Sequence, residues 1–536
     1  MSERKTLIRK LVYGAFMVVL FVPLSMMSQP ATKESSGGIL ARLRKTHKLS
    51  QAELGDIDPS SATMKLATMG MGGVAVNLLW ERANEYKKKE DWIALGATLE
   101  QIVKLQPHFY KVWDFQAHNL SYNISAEFDD YHDRYTYVIR GINFLKQGFE
   151  KNDSEPRLLN RIGWYIGQKI GRADEHKQYR RLFREDWNNL FHVTDNPDRT
   201  PEERDNWLVA REKHRLAEDL ADTLKSRNIY LKTTPLLFYS EAPKSQINYA
   251  ETRQLEGRFL QPDERSETKR AWETARAEWR EYGQRQLPTS FGIEIRLQDL
   301  ENQEKLAAEL TAEIEALLPG VRERLRDEKL AGFAADIREA IRTPFEHRTH
   351  DQMALAAEHE YKTAVNWDEV ADQAPADQRA DAKRLSNALM RAEAQVNAIS
   401  TERGKVNYEY WRTRGDAESE EITLEARRLT YEAGDQMDRA NVDKAIPLYE
   451  EAWKKWREVV DRYPRMAGES VSADELVEDI NRYKKALSFY GQKFPQPFIL
   501  QEVIDVAEMK IIYTPEQLAE MEREAERKAE QKNGDE

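Results

Sequence analysis

The chain has 536 residues, a net charge of −12 at pH 7, no cysteine, and charged side chains at 32% of its positions. The lack of cysteine excludes disulfides, thiolate metal sites and a thiol nucleophile, and the acidic balance argues against sequence-independent nucleic-acid binding, although a local basic patch is compatible with it. Sparse glycine and proline predict an all-α fold, and the length predicts several domains or a repeat array.

The N-terminal segment combines basic residues with an apolar run. The run begins at Leu11, directly after Lys10, and ends at Leu24. It is shorter than the about 20 residues that span a bilayer, so it is either a signal peptide or a short anchor. Residues 25–28 make a poor cleavage site, which favours a single uncleaved membrane helix. Basic residues flank both sides of the run, so the positive-inside rule favours a cytoplasmic start and an extracytoplasmic body only weakly.

A recurring pattern of large and small residues follows between Val76 and Leu120. The recurring pairs share one spacing, with Pro107 between the two copies, and are Leu79 with Trp113, Ala83 with Ala117, and Tyr86 with Leu120. In these residues the chain resembles the tetratricopeptide repeat family, whose period is about 34 residues. The resemblance implies pairs of antiparallel helices in which a small residue marks the closest contact.

Two further segments resemble the same repeat. In the first, Pro156 suits the first turn of a helix, and the matching residues are Leu159, Ile162, Gly163 and Ile166. In the second, Asn441 or Asp443 is expected to cap the second helix and Pro447 to lie in its first turn, and the matching residues are Leu429, Ala433, Ala445, Tyr449 and Ala452. The alternative is a set of generic helical hairpins with ordinary small-to-large packing.

The segments between these blocks also favour helices. Thr200 and Pro201 predict the start of a long charged helix that ends near Arg227. A helical hairpin is expected to turn near Gly257, with an apolar stripe formed by Ala271, Trp272, Ala275 and Trp279. Alternation at Ile293, Ile295 and Leu297 indicates a short extended segment.

Two stripes of apolar residues at heptad spacing occupy the middle of the chain. One contains Leu310, Ile314 and Leu317, and the longer one begins at Leu385 and ends at Tyr410. Stripes of this kind pack against a partner helix. We expect the two stripes to pack against each other within the chain, and oligomerisation through the helix from Leu385 to Tyr410 is the alternative.

One histidine cluster is the only candidate for metal chemistry. His347, His350 and His359 lie close in sequence, but Thr363 stands where a zincin motif needs its second histidine. The cluster therefore fits a solvated helix surface better than a metal site. No cofactor is expected, and no pair of carboxylates stands out as a general acid and base.

Aromatic residues are dense between Phe109 and Phe191. Repeat solenoids bind extended peptides or helices in a groove, and aromatic side chains suit such contacts. Tyr110, Trp113 and Tyr137 are the candidate partner-binding residues. The alternative is that these rings fill the gaps between helices of unequal length.

Together these features favour a membrane-anchored, non-enzymatic helical scaffold with an unidentified protein partner. The chain also resembles bacterial envelope proteins that combine an anchor with helical repeats, a resemblance that implies no activity. The alternatives are a metal-dependent hydrolase that uses the histidine cluster and a structural spacer.

The expected segments are 1–30, a basic start with the anchor; 31–60, a linker; 61–195, repeat-like helices; 196–290, helical hairpins; 291–420, coiled-coil-like helices; 421–515, C-terminal repeat-like helices; and 516–536, a solvated tail that frays into disorder.

Overall fold

The structure is a computed structural model, and it describes residues 2–28, 38–39, 42–43, 71–185, 204–227, 229, 234–259, 266–289 and 292–534. Helices dominate these residues, which confirms the all-α prediction. The chain forms two compact units. The first comprises Met1–Thr233 with Glu241–Thr252, and the second comprises Thr234–Ser240 with Arg253–Glu536.

The described helices of the first unit follow one another along the chain. They are α1 (Ser2–Ser28), α2 (Gly72–Lys88), α3 (Trp92–Leu105), α4 (Tyr110–His118), α5 (Tyr131–Lys151), α6 (Pro156–Trp164), α7 (His176–Glu185) and α8 (Asn206–Ser226). Pro156 occupies the first turn of α6, as the sequence predicts. Thr200 and Pro201 lie outside the described residues, and α8 begins only at Asn206, where the Asp205 side chain accepts the N–H of Trp207 at 2.9 Å.

Helix α1 keeps its apolar side chains exposed, including Leu11, Phe16 and Leu24. Within the residues that the structure describes, none of the helices combines the length and the apolar character that a bilayer span requires.

Two small residues of the repeat-like pattern lie in the core of the first unit. Ala83 and Ala117 are completely or almost completely buried in the core of the first unit, beside Leu79. Helix α5 approaches α4 so closely that a Cβ atom at Gly148 would lie 2.8 Å from the Trp113 ring. The core of this unit therefore depends on small residues at fixed positions.

Ala117→Leu should destabilise the chain by about 1–3 kcal/mol, because a larger side chain at this buried contact forces helices α4 and α5 apart. The check is the midpoint of thermal unfolding, with Lys111→Leu as the control because Lys111 lies on the same helix and is exposed. Equal midpoints for the two variants would mean that position 117 is not a close-contact site.

The second unit contains α9 (Pro235–Phe238), the end of α10 (Glu241–Leu255) and all later helices. These are α11 (Glu267–Gln284), α12 (Leu300–Leu317), α13 (Val321–Ala331), α14 (Ala335–Arg342), α15 (His350–His359), α16 (Trp367–Asp372), α17 (Arg379–Val406), α18 (Tyr408–Glu418), α19 (Glu421–Asp438), α20 (Val442–Arg462), α21 (Arg465–Gly468), α22 (Ser470–Phe489), α23 (Gln501–Ala507) and α24 (Pro515–Gly534).

Several local predictions for this unit hold. Gly257 adopts the left-handed conformation (φ 69°) between α10 and α11, and the stripe containing Trp272 and Trp279 is buried. The extended segment is one strand of a two-residue antiparallel pair, β1 (Leu287–Pro288) with β2 (Glu294–Ile295). The turn at Gly257, the buried stripe and the short strand therefore follow from the local sequence pattern.

The two heptad stripes pack against each other within the chain, as expected. Ile314 of α12 and Leu385 and Leu389 of α17 belong to one buried cluster, with Leu310 at its edge. Since this part of the stripe on α17 is covered by α12, it does not offer a free apolar seam for oligomerisation.

Two predictions near the C-terminus are wrong. Pro447 lies inside α20 and not in its first turn, because that helix already begins at Val442. The tail is not solvated on every face: Leu518 and Ala525 of α24 are buried, and the Glu522 carboxylate accepts two hydrogen bonds from the Arg465 guanidinium at 2.9 and 2.8 Å. A few apolar residues on one side of a charged helix are enough to dock it.

Candidate functional site

The candidate site lies where two helices of the first unit run beside each other. Helix α4 continues into a π-helical segment, Asn119–Ile124, and helix α6 continues into a second one, Tyr165–Lys169. Such π-helical turns are rare and are frequently found at functional sites. Two helices with the same irregularity at their C-terminal ends therefore mark this region as a candidate site.

Both helices carry polar and aromatic side chains at every fourth residue. A spacing of four places side chains on one helix face. The contributing residues are Tyr110, Asp114, His118 and Tyr122 from α4 and its extension, and Arg157, Arg161, Tyr165 and Lys169 from α6 and its extension. We call these eight residues the aromatic–cation strip.

At one end of the aromatic–cation strip, Arg157 covers Tyr110. The guanidinium lies 4.0 Å from the ring centroid and donates a hydrogen bond to the Tyr110 hydroxyl at 3.0 Å. Arg157 also donates from Nε to the carboxylate of Glu155 at 2.6 Å. The cation is held on both sides, so its orientation over the ring is fixed.

In the middle of the strip, Arg161 joins the two helices through an ion pair. Its Nε donates to Asp114 Oδ1 at 2.8 Å, and its guanidinium lies 4.7 Å from the ring centroid of Trp164. Arg161 and Asp114 are both about one third exposed. Tyr165 beneath them is buried, and burial raises the pKa of its hydroxyl well above the usual range.

At the other end, Tyr122 is surrounded by rings and a cation. His118 stacks on Tyr122 with ring centroids 4.7 Å apart, and the Lys169 ammonium lies 4.2 Å from the Tyr122 centroid on another side. Trp164 lies 6.3 Å away. His118 is partly exposed, whereas Tyr122 and Lys169 are half-buried.

Burial and like charges control the ionisation of this end. Burial lowers the pKa of His118, and although Asp114 opposes the shift, the nearby cations Arg161, Lys169 and Lys87 reinforce it. Burial also lowers the pKa of Lys169. At neutral pH this end of the strip therefore holds a neutral imidazole beside partly desolvated cations.

The structure does not bring the three predicted partner-binding residues together. Tyr110 belongs to the aromatic–cation strip, whereas Tyr137 lies on α5, where it stacks on Phe128 at 4.8 Å. Trp113 is a core residue, only 4% exposed, and its indole N–H donates to the Pro107 carbonyl at 2.8 Å. The predicted contact of Trp113 with a partner is therefore wrong, because its ring is covered by α5.

The three histidines of the predicted cluster have different surroundings. His347 and His350 are exposed, whereas His359 contacts the ring of Phe333 and lies 3.1 Å from Lys362 Nζ. In the described part of the chain, no group of three or more histidine, aspartate or glutamate side chains is placed to hold a metal ion. The metal-dependent hydrolase thus gains no structural support.

The sequence carried a signal for the strip that the repeat pattern obscured. The pairs Tyr110 with Arg157 and Asp114 with Arg161 are each separated by 47 positions, and the same separation relates Tyr122 to Lys169. Each helix has chemically distinctive residues at every fourth position, and one separation in sequence relates the two sets. This pattern could have identified the two helices as neighbours. Extra residues before α6 break the strict repeat period and hide this correspondence.

Comparison with known proteins finds no matching family model, no similar curated protein and no similar solved structure. The functional assignment therefore depends on the residues of the chain itself.

Proposed function

We propose that this chain is a membrane-attached, non-enzymatic helical scaffold of the bacterial envelope that binds a partner protein on the aromatic–cation strip. The observation that carries the proposal is the strip itself, in which half-exposed aromatic rings and ordered cations lie on two adjacent helices. Tryptophan, tyrosine and arginine are the residues that dominate binding energy at protein interfaces. The resemblance to tetratricopeptide repeats supports the same function, since such arrays bind peptides or helices.

The size of the strip suits a short protein segment. From Tyr110 to Tyr122 the helix rises about 18 Å, which matches about five residues of an extended chain. The ion pair between Asp114 and Arg161 holds the two helices in register, so the binding surface is ordered before a partner arrives. Pre-ordered surfaces lose less conformational entropy on binding.

Membrane attachment through α1 completes the proposal. The apolar run from Leu11 to Leu24 lies within one helix whose apolar side chains are exposed. Its helical rise is about 21 Å, less than the hydrocarbon core of about 30 Å, so the flanking residues of α1 must also enter the interface. Basic residues before the run suit anionic headgroups.

Deleting residues 1–30 should release the chain from membranes, because the exposed apolar side chains of α1 are then removed. The measurement is the distribution of the full-length and shortened chains between the soluble and membrane fractions after a carbonate wash. Recovery of a mature chain that begins near Gln29 would contradict attachment and identify the segment as a cleaved signal peptide.

Tyr122→Ala should abolish co-purification of the partner, since an aromatic residue that dominates an interface contributes about 2 kcal/mol or more to binding. The tagged full-length chain is purified from membranes, and bound proteins are quantified by mass spectrometry. Tyr137→Ala is the matched control, because Tyr137 is a half-buried tyrosine of the same unit outside the strip. If an identical set of proteins accompanies wild type and both variants, the strip is not the binding site.

A further inference from the structure

Three cations converge on one end of the aromatic–cation strip. Arg161, Lys169 and Lys87 lie close enough to His118 for their charges to oppose its protonation, whereas the Asp114 carboxylate favours it. Lys87 comes from the last turn of α2 and the other two cations from α6 and its extension, so two helices contribute to this positive region. A concentration of positive charge is unexpected in a chain whose net charge is −12.

Among the residues that the structure describes, neither Lys169 nor Lys87 forms a direct ion pair; Glu175 and Asp174 act on the charge of Lys169 without forming one. The Lys169 ammonium lies 4.2 Å from the ring centroid of Tyr122, and the Lys87 ammonium lies 5.3 Å from the ring centroid of Phe115. Arg161, by contrast, is neutralised by Asp114 at 2.8 Å. A half-buried ammonium gains more from an incoming carboxylate than a fully hydrated one, because the local dielectric is lower.

We propose that this end of the strip, formed by Lys87, His118, Tyr122 and Lys169, binds an acidic segment of the partner protein. The inference depends on the proposed function and adds the chemistry of its ligand. Carboxylates of the segment pair with the Lys87 and Lys169 ammonium groups. An apolar or aromatic side chain between those carboxylates packs on Tyr122 and Trp164.

An acidic peptide fits this surface better than a nucleic acid. Sequence-independent binding of nucleic acid draws its affinity from the number of phosphates that Lys and Arg neutralise, and this region offers three cations, one of which is paired with Asp114. The negative charge of the whole chain also disfavours a polyanion that extends beyond the strip. A short segment with two or three carboxylates satisfies the local cations without that repulsion.

The test uses two fluorescein-labelled decapeptides and the full-length protein in nonionic detergent. One peptide alternates glutamate with phenylalanine, and its twin replaces every glutamate with glutamine. Fluorescence anisotropy gives the affinity of each. We expect the glutamate peptide to bind about tenfold more tightly, and Lys169→Gln and Lys87→Gln each to weaken its binding about fivefold. The control Lys151→Gln, an exposed residue of α5, should have no effect.

Three results would overturn the inference: equal affinity for the two peptides, equal effects of Lys169→Gln and Lys151→Gln, or displacement of the peptide by single-stranded DNA at the same charge concentration. These failures are distinguishable from failure of the proposed function. If Tyr122→Ala removes the partner while the two peptides bind equally, the site stands and its acidic specificity is wrong. If Tyr122→Ala keeps the partner, the site itself is wrong.

Discussion

Replacing Glu418 with alanine should lower the free energy of unfolding by about 3–5 kcal/mol, because the substitution leaves buried positive charge without its partner. Glu418 ends α18 and is completely buried. Its carboxylate accepts hydrogen bonds from Arg427 Nη2 at 2.5 Å and from Gln254 Nε2 at 2.6 Å. Arg427 would keep a longer ion pair with Glu475, at 3.4 Å, in place of its close contact with Glu418.

The control for this prediction is Glu421→Ala. The Glu421 carboxylate forms an ion pair with Lys269 at 2.7 Å, but its side chain is 80% exposed. Solvent screens exposed pairs, so the expected loss is below about 1 kcal/mol. Chemical denaturation of the two variants provides the comparison, and equally small losses would show that the buried charge network does not hold α18 and α19 together.

Trp113→Ala should cost about 3–5 kcal/mol of stability, because it removes a large buried ring from the core of the first unit. The ring contacts Phe144 with centroids 4.8 Å apart, and it also packs closely against Gly148 of α5. Removal of the ring therefore leaves a cavity in the core. The substitution also removes the hydrogen bond to Pro107.

Tyr110→Ala is the matched comparison for Trp113→Ala. Tyr110 is a half-buried aromatic residue of the same helix, and its ring contacts Arg157 at the surface. We expect Tyr110→Ala to unfold close to wild type in a thermal scan, whereas Trp113→Ala should unfold at a clearly lower temperature. Wild-type stability of the Trp113→Ala protein would mean that the Trp113 side chain does not stabilise the core.

The predictions that hold depend on local spacing. The heptad spacing of Ile314 and Leu389 identifies apolar helix faces, and an apolar face is buried wherever its helix packs. Gly257 and Pro156 carry conformational preferences of their own, so their positions at a turn and a helix start also follow from the sequence.

The predictions that fail depend on which neighbour covers a side chain. Trp113 and Tyr122 are aromatic residues of one helical segment. Helix α5 covers Trp113, whereas Tyr122 stays half-exposed, and the periodicity of the sequence does not distinguish these two cases. The docked face of α24 contains only scattered apolar residues such as Leu518, too few to stand out among its charges. The pairing of Asp114 with Arg161 requires knowledge that α4 and α6 are neighbours.

Site-specific photocrosslinking from position 118 shows whether a partner protein binds at the aromatic–cation strip. A benzophenone side chain is introduced in place of the partly exposed His118, and a second chain carries it in place of exposed Lys104 on α3. We expect one saturable crosslinked partner from position 118, lost when Tyr122→Ala is added, and no such product from position 104. No product from position 118, or the same product from both positions, would mean that the strip does not bind a partner protein.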